Sequence, residues 1–226
     1  MTSDDPAVRD AQIELGVGLT TVDGHLAVPD RPRGVVIFAH GSGSSRHSPR
    51  NRAVAAVLNR EGLATLLFDL LTAEEALDRA NVFDIGLLAG RLLDITRWVH
   101  DRPSLAGSSV GYFGASTGAA AALWAAAESG NDIAAVVSRG GRPDLAGSRL
   151  GSVRAPTLLV VGGHDEVVLD LNREAQARLR CENRLVIVPG ASHLFEEPGT
   201  LSTVAAQACD WFVDHLERTD KRPGRP

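Results

Sequence analysis

The sequence predicts an α/β fold: a mostly parallel central sheet with helices on both faces, entered through an N-terminal antiparallel hairpin. Three observations predict it. Near-continuous apolar runs bounded by turn signals recur along the chain, and a sheet covered on both faces calls for Val, Ile and Leu without alternation. Helical patterns separate these runs, and strand–helix alternation implies βαβ units with right-handed crossovers. The chain has 226 residues, 44% of them hydrophobic and 23% charged, enough for one α/β domain with a full core.

The elements follow in order. "MTSDDPAVRD" carries acids and no apolar run, so neither a signal peptide nor a membrane span is expected there. Residues 1–10 and the apolar-poor tail 218–226 are expected to lack order. "IELGVGLTTVDGHLAVP" reads as the hairpin, with Asp23-Gly24 at its turn. Buried parallel strands are predicted at 34–40 (GVVIFAH), 63–69 (LATLLFD), 110–115 (VGYFGA), 133–138 (IAAVVS), 157–163 (TLLVVGG) and 185–190 (LVIVPG). Helices are predicted at 50–61, 83–100, 117–128, 169–180 and 200–216. Neither an internal repeat nor a linker divides the sequence, so a single domain over 1–226 is expected.

Composition narrows the function classes. A net charge of -5 without a basic cluster argues against nucleic acid as a partner. Cys181 and Cys209 lie in unrelated contexts, which argues against a disulfide framework and for a reducing cytoplasm. No membrane partner, metal or cofactor is expected.

The chemistry centres on Gly114-Ala115-Ser116-Thr117-Gly118, a G-x-S-x-G pattern at the seam between a strand and an alanine-rich helix. Gly107-Ser108-Ser109-Val110-Gly111 matches the same pattern, but Ser109 stands in the loop before the strand. Only a serine after the strand is presented at the carboxyl edge of the sheet by a sharp turn, as a nucleophile elbow requires. A serine hydroxyl needs a base, and the base an orienting acid, in the chain order Ser, Asp, His. "TLLVVGGHDEVV" places Asp165 just past one strand, and "RLVIVPGASHLF" places His193 just past the next. His164 neighbours the acid and reads as a wall residue. An oxyanion would be held by the Thr117 amide and by Ser42 or Gly43 in "FAHGSGSSRHSPRN", where small residues admit close approach. The same loop lacks the third glycine of a dinucleotide fingerprint, with Arg46 in its place, and His40 and His47 have no further ligand at zinc spacing.

Taken together, "HGSGSSRHSPRN", "GYFGASTG", "VVSRGGRPDL", "VGGHDEVV" and "GASHLFEEPG" resemble the dienelactone hydrolase family of the α/β-hydrolase superfamily, over roughly residues 35–216. The resemblance implies an α/β-hydrolase fold and a triad of Ser116, Asp165 and His193. The members that gave the family its name use cysteine in the elbow, where this chain has serine, so the family label is not read as a substrate. Some relatives are joined to a phosphoribosyltransferase domain, of which this sequence shows no counterpart.

Lipase-like enzymes insert a helical cap after the strand that here ends near Ser138, but "RGGRPDLAGSRLGSVRA" has room for one short helix only. An open site for a compact, soluble acyl group is expected. Arg46, Arg139 and Arg142 fall near that edge as candidate clamps for a substrate anion, with a structural pairing to Asp144 as the competing role. The expectation is a cytoplasmic carboxylic-ester or lactone hydrolase acting through an acyl-enzyme. Thioester hydrolysis, acyl transfer, or ligand binding without catalysis on the same scaffold are the alternatives.

Overall fold

A computed structural model describes residues 8–130 and 132–216. β1 (Val8–Val17) and β2 (Thr20–Pro29) form the antiparallel hairpin. Its turn is Gly18-Leu19, not Asp23-Gly24 as expected. Gly18 takes the left-handed backbone (φ 59°) that a two-residue hairpin turn requires. Gly24 lies inside β2 opposite Ile13, and a Cβ there would come 2.7 Å from Leu15 Cδ1, so this glycine answers to packing. β1 also begins earlier than expected: Val8, Arg9 and Asp10 pair with Pro29, Val28 and Ala27. Residues 1–7 and the tail expected to lack order lie outside the described residues.

The remaining strands are β3 (Val35–Ala39), β4 (Ala64–Phe68), β5 (Val110–Ala115), β6 (Ile133–Arg139), β7 (Thr157–Gly162) and β8 (Asn183–Val188). With the hairpin they make one eight-stranded sheet in the order β1-β2-β4-β3-β5-β6-β7-β8. β2 meets β4 antiparallel, and every pairing from β4 to β8 is parallel. The helices are α1 (Pro49–Arg60), the short α2 (Arg79–Phe83), α3 (Ile85–Asp101), α4 (Thr117–Glu128), α5 (Glu166–Arg178) and α6 (Thr200–Leu216).

Strand residues alternate between two cores. Val35, Ile37 and Ala39 face α3 and α4 with Leu66, Leu88, Leu92 and Ile95. Val36 and Phe38 face α1 and α6 with Phe113, Val137, Val160, Leu58 and Phe212. Both faces are covered, which is why β3 through β7 read as unbroken apolar runs. The central strands are in step at their carboxyl ends, where Ala39 pairs with Gly114, Ala115 with Arg139, Arg139 with Val160, and Gly162 with Val188. The loops leaving β3, β5, β6, β7 and β8 therefore gather along one edge. The chain leaves β3 for β4 on one side and later enters β5 on the other, so the crevice for a ligand opens there.

Candidate active site

Ser116 occupies the single residue between β5 and α4 and holds φ 51°, ψ -121°, a conformation that costs a residue with a Cβ free energy. Its surroundings enforce the strain. A Cβ on Gly114 would lie 2.4 Å from Ala119 Cα, and one on Gly118 would lie 2.2 Å from the Ala39 carbonyl oxygen. Both contacts are with backbone that cannot swing aside, so glycine on either side is what lets helix and strand close to this distance. The Ser116 amide donates to the Arg139 carbonyl (3.3 Å), and the Ser116 carbonyl accepts from the Ala119 and Arg142 amides (both 3.1 Å). Its side chain makes no helix-cap bond, so Ser116 does not spend its hydroxyl as an ordinary N-cap would. Ser109 sits at the other end of β5, just before Val110.

Two strand ends away, Asp165 precedes α5 and likewise forms no cap bond with the helix. Its Oδ2 instead lies 2.6 Å from His193 Nδ1, with the Asp165 side chain 15% and the His193 side chain 39% exposed. The His193 loop is pinned from both sides. The His164 amide donates to Ala191 O (2.9 Å), and the Ser192 amide donates to Glu197 Oε2 (3.0 Å). That amide bond holds the Glu197 carboxyl below its usual range. A Cβ on Gly162 would lie 2.4 Å from Ala191 O, so β7 passes directly beneath the loop. The His193 ring reaches the elbow side of the edge: its Cε1 lies 3.6 Å from where a Gly140 Cβ would stand, and Gly140 follows Arg139, whose carbonyl holds the Ser116 amide. His164, by contrast, is exposed.

The loop after β3 meets the elbow at Gly41, where a Cβ would lie 3.0 Å from Ser116 Cβ. Thr117 opens α4, and a first-turn amide has no carbonyl four residues back to bond. Ser42 differs from expectation, since its amide is not open but donates to Thr117 Oγ1 at 2.9 Å. His40, weighed earlier as a metal ligand, braces this loop. Its Nδ1 lies 2.9 Å from Gly41 O, and the Leu70 amide donates to its Nε2 at 3.1 Å. The acceptor role of Nε2 places the proton on Nδ1, and burial pushes its pKa below the ordinary imidazole value. His47 pairs with Arg52 instead, and among the described residues no three His, Cys, Asp or Glu side chains converge as a metal would require.

A cavity of about 370 Å³ opens beside these groups, lined by His40, Ser42, Gly43, Thr117, Leu70 and Val82 among others. Its apolar wall comes from the connection between β4 and α3, with Leu71, Ala73 and Ala76, and from Leu88 of α3 itself. The signal was present in "DLLTAEEALDRANVFD": a long aperiodic connection that keeps its leucines and alanines has something to line. The connection after β6, expected to have room for one short helix only, is a 3₁₀ segment (Pro143–Ser152) kinked at Gly147. A wider groove of about 560 Å³ between α1 and the hairpin, lined by Asp10, His25 and Arg52, shares no residue with this site.

Two of the three candidate clamp arginines are already neutralised. Arg46 pairs with Asp69, by backbone amide and guanidinium, and with Asp23 at 2.9 Å, tying its loop to β2 and β4. Arg142 makes a bidentate pair with Asp144 (2.9 and 2.8 Å), the competing role named for it above. Both guanidiniums are thus engaged by carboxylates of the chain itself. Arg139 is a different case: 6% exposed, it forms no ion pair among the described residues.

Comparison with known proteins agrees with this architecture. The family model described as "Dienelactone hydrolase family" matches residues 22–218. The crystal structure of a dienelactone hydrolase from Anabaena variabilis is 54% identical, superposes with a TM-score of 0.90, and is covered over 99% of its length by 92% of this chain. Est1E from Butyrivibrio proteoclasticus, 15% identical, shares the fold with a TM-score of 0.77 over 91% of this chain and 98% of its own. Among curated proteins, one named "Putative phosphoribosyl transferase" in two strains of Mycobacterium tuberculosis is 64% identical over 212 residues, which is 94% of this chain and 48% of the relative. The chain thus spans about half the length of the curated relatives it matches. Fold and family support hydrolase activity, and the chain belongs to the dienelactone hydrolase family of α/β-hydrolases.

Proposed function

We propose that this chain is a serine hydrolase that cleaves a small carboxylic ester or lactone through an acyl-enzyme. The observation that carries the reading is the meeting, at one sheet edge, of the strained Ser116 turn with the Asp165–His193 pair. Asp165 accepts a hydrogen bond from the Nδ1–H of His193, which keeps the proton there and leaves Nε2 as the base. Ser116 Oγ attacks the carbonyl carbon as its proton passes to His193 Nε2. The tetrahedral intermediate collapses, and the protonated imidazole gives its proton to the leaving alcohol. Water then repeats the sequence on the acyl-enzyme and releases the acid.

The developing oxyanion is assigned to the Thr117 amide together with the Ser42–Gly43 amides. In the free protein the Ser42 amide rests on the Thr117 hydroxyl, and in this reading it turns to the oxyanion as charge develops. The phosphoribosyl transferase in the name of the longer mycobacterial relatives is read here as a property of the half that this chain does not match.

Ser116→Ala and Ser109→Ala test the assignment on a small aryl ester. Ser116→Ala should lose about 10⁴-fold or more in kcat and all labelling by a fluorophosphonate probe, because triad members act as a unit. Ser109→Ala should retain both. A dead Ser109→Ala beside an active Ser116→Ala would overturn the reading.

A further inference from the structure

The turn that leaves β6, from Arg139 to Arg142, holds the Ser116 backbone from both sides. The Arg139 carbonyl accepts from the Ser116 amide (3.3 Å), and the Arg142 amide donates to the Ser116 carbonyl (3.1 Å). Between these two bonds, a Cβ on Gly140 would stand 3.1 Å from His193 O and 3.6 Å from His193 Cε1. A Cβ on Gly141 would lie 2.0 Å from Ser138 Oγ and 2.6 Å from Ala119 Cβ, so the turn is pressed onto β6 and α4. Ser116 holds φ 51°, ψ -121°, and such a conformation persists only where its surroundings over-determine it. The β6 turn is a large part of those surroundings.

The turn is in its turn held by Asn172, in the middle of α5. Asn172 is fully buried, and its Nδ2 donates to Gly141 O (3.0 Å) and to Val168 O one helical turn back (2.8 Å). Both donors of the amide are therefore spent, and its Oδ1 is buried without a partner. Helix stability does not call for this residue. Asparagine is a weak helix former, its bond to the preceding turn competes with the helix, and an unpaired buried oxygen costs free energy. The other buried residues of α5 are Val168, Leu169 and Ala175, among which a leucine would sit without any polar atom to satisfy. What asparagine supplies and leucine does not is the tie to Gly141. Asp165 immediately precedes the same helix, so α5 carries the acid at its start and, two turns later, the group that fixes the nucleophile's support.

We infer that Asn172 is a positioning residue for the triad, acting on Ser116 through Gly141 and Arg142 and keeping the nucleophile in register with the Asp165–His193 pair. The inference rests on the hydrolase reading above and adds a residue outside the reacting groups. Without the tie, the β6 turn is free to move away from α5, and the Arg142 amide and Gly140 move with it. Ser116 and His193 then lose the support they share. Displacement of a nucleophile by about 1 Å lowers the rate by up to about 100-fold. The cavity wall of Leu71, Ala73 and Val82 takes no part in this, so the loss falls on kcat and not on KM.

The test compares wild type, Asn172→Leu and Asn172→Asp in the hydrolysis of nitrophenyl acetate. Competent sites are counted by fluorophosphonate labelling carried to completion, so kcat is expressed per site and a partly unfolded variant does not distort it. Asn172→Leu should lose roughly 10- to 100-fold in kcat per site with KM within about twofold of wild type. A residue with a purely structural role would lower the melting temperature and the number of labelled sites and leave kcat per site unchanged. Asn172→Asp supplies a second signature. Its carboxyl donates to Gly141 O only while protonated, and when ionised it faces the Gly141 and Val168 carbonyl oxygens. Burial raises the pKa of such a carboxyl, so the ratio of variant to wild-type kcat should fall as the pH rises from about 6 to 9. Activity that depends on a neutral His193 changes in the opposite sense. A kcat per site within twofold of wild type in Asn172→Leu, or an Asn172→Asp ratio that does not change with pH, overturns the inference. If wild type neither cleaves the ester nor takes up the probe, the hydrolase reading has failed instead. Amide hydrogen exchange then decides the tie: faster exchange of the Arg142 amide in Asn172→Leu supports it, and equal rates in the two proteins refute it.

Discussion

Asp165→Asn removes a charge while leaving the side chain's shape in place. In the wild type the carboxylate sits 2.6 Å from His193 Nδ1 and its side chain is 15% exposed, so in the proposed mechanism it faces the imidazolium of acyl transfer across little water. Two unit charges about 4 Å apart at an effective permittivity of about 20 attract by about 4 kcal/mol. The imidazole is 39% exposed, and solvent screening at that exposure brings the usable part to about 3 kcal/mol. At 1.36 kcal/mol per decade this is about 100-fold in kcat. A second effect adds to it. The asparagine amide can donate to Nδ1, which drives the ring proton onto Nε2 and blocks the base; together the two effects reach about 10⁴-fold. The assay is steady-state hydrolysis of a neutral nitrophenyl ester, alongside the rate of fluorophosphonate labelling and a thermal melt to verify folding. The expected result is a loss of 10²- to 10⁴-fold in kcat with labelling slowed in parallel. A folded variant that loses less than tenfold would show that Asp165 does not support the base, and the triad assignment would fall.

Three further outcomes are expected. Gly118→Ala forces a methyl to 2.2 Å from Ala39 O and 2.5 Å from His40 O, and should cost about 3 kcal/mol or more, whereas Gly147→Ala meets no atom within 4 Å and should cost only the roughly 1–2 kcal/mol of a left-handed backbone. Melting temperatures check this, and a Gly118→Ala protein melting with wild type would refute the packing account of the elbow. Because burial holds the folded His40 pKa below 6.5, stability is complete above that pH and declines as the pH falls through it, where the unfolded chain takes up a proton that the folded chain refuses. Wild type should therefore lose more melting temperature between pH 6.5 and 5 than His40→Gln, and parallel pH profiles would refute the bracing role. For neutral esters, kcat/KM should rise by up to about fourfold per CH₂ while the acyl chain fills the 370 Å³ cavity, and then fall. A steady rise to a ten-carbon chain would contradict it.

What the sequence determined by itself was whatever depends on local pattern. Unbroken apolar runs revealed the parallel strands because both sheet faces are covered, and α4 (Thr117–Glu128) and α6 (Thr200–Leu216) begin and end where their patterns do. The positions of Ser116, Asp165 and His193 just after strands were equally legible, since an edge residue is marked by the run that precedes it. Other features depended on partners far along the chain. Asp23-Gly24 has turn chemistry, yet Gly24 is held inside β2 by the Leu15 side chain, and the turn went to Gly18. Arg46, Arg139 and Arg142 look alike in sequence and differ only by which acid the fold brings near. Asp69 from β4's end and Asp23 from β2 meet Arg46, Asp144 meets Arg142, and Arg139 is carried to the opposite face toward Asn51 and Phe195. Hydrophobic periodicity is a property of neighbours in sequence, whereas the neutralisation of a charge and the wall of a cavity are properties of neighbours in space, and only the tertiary structure decides those.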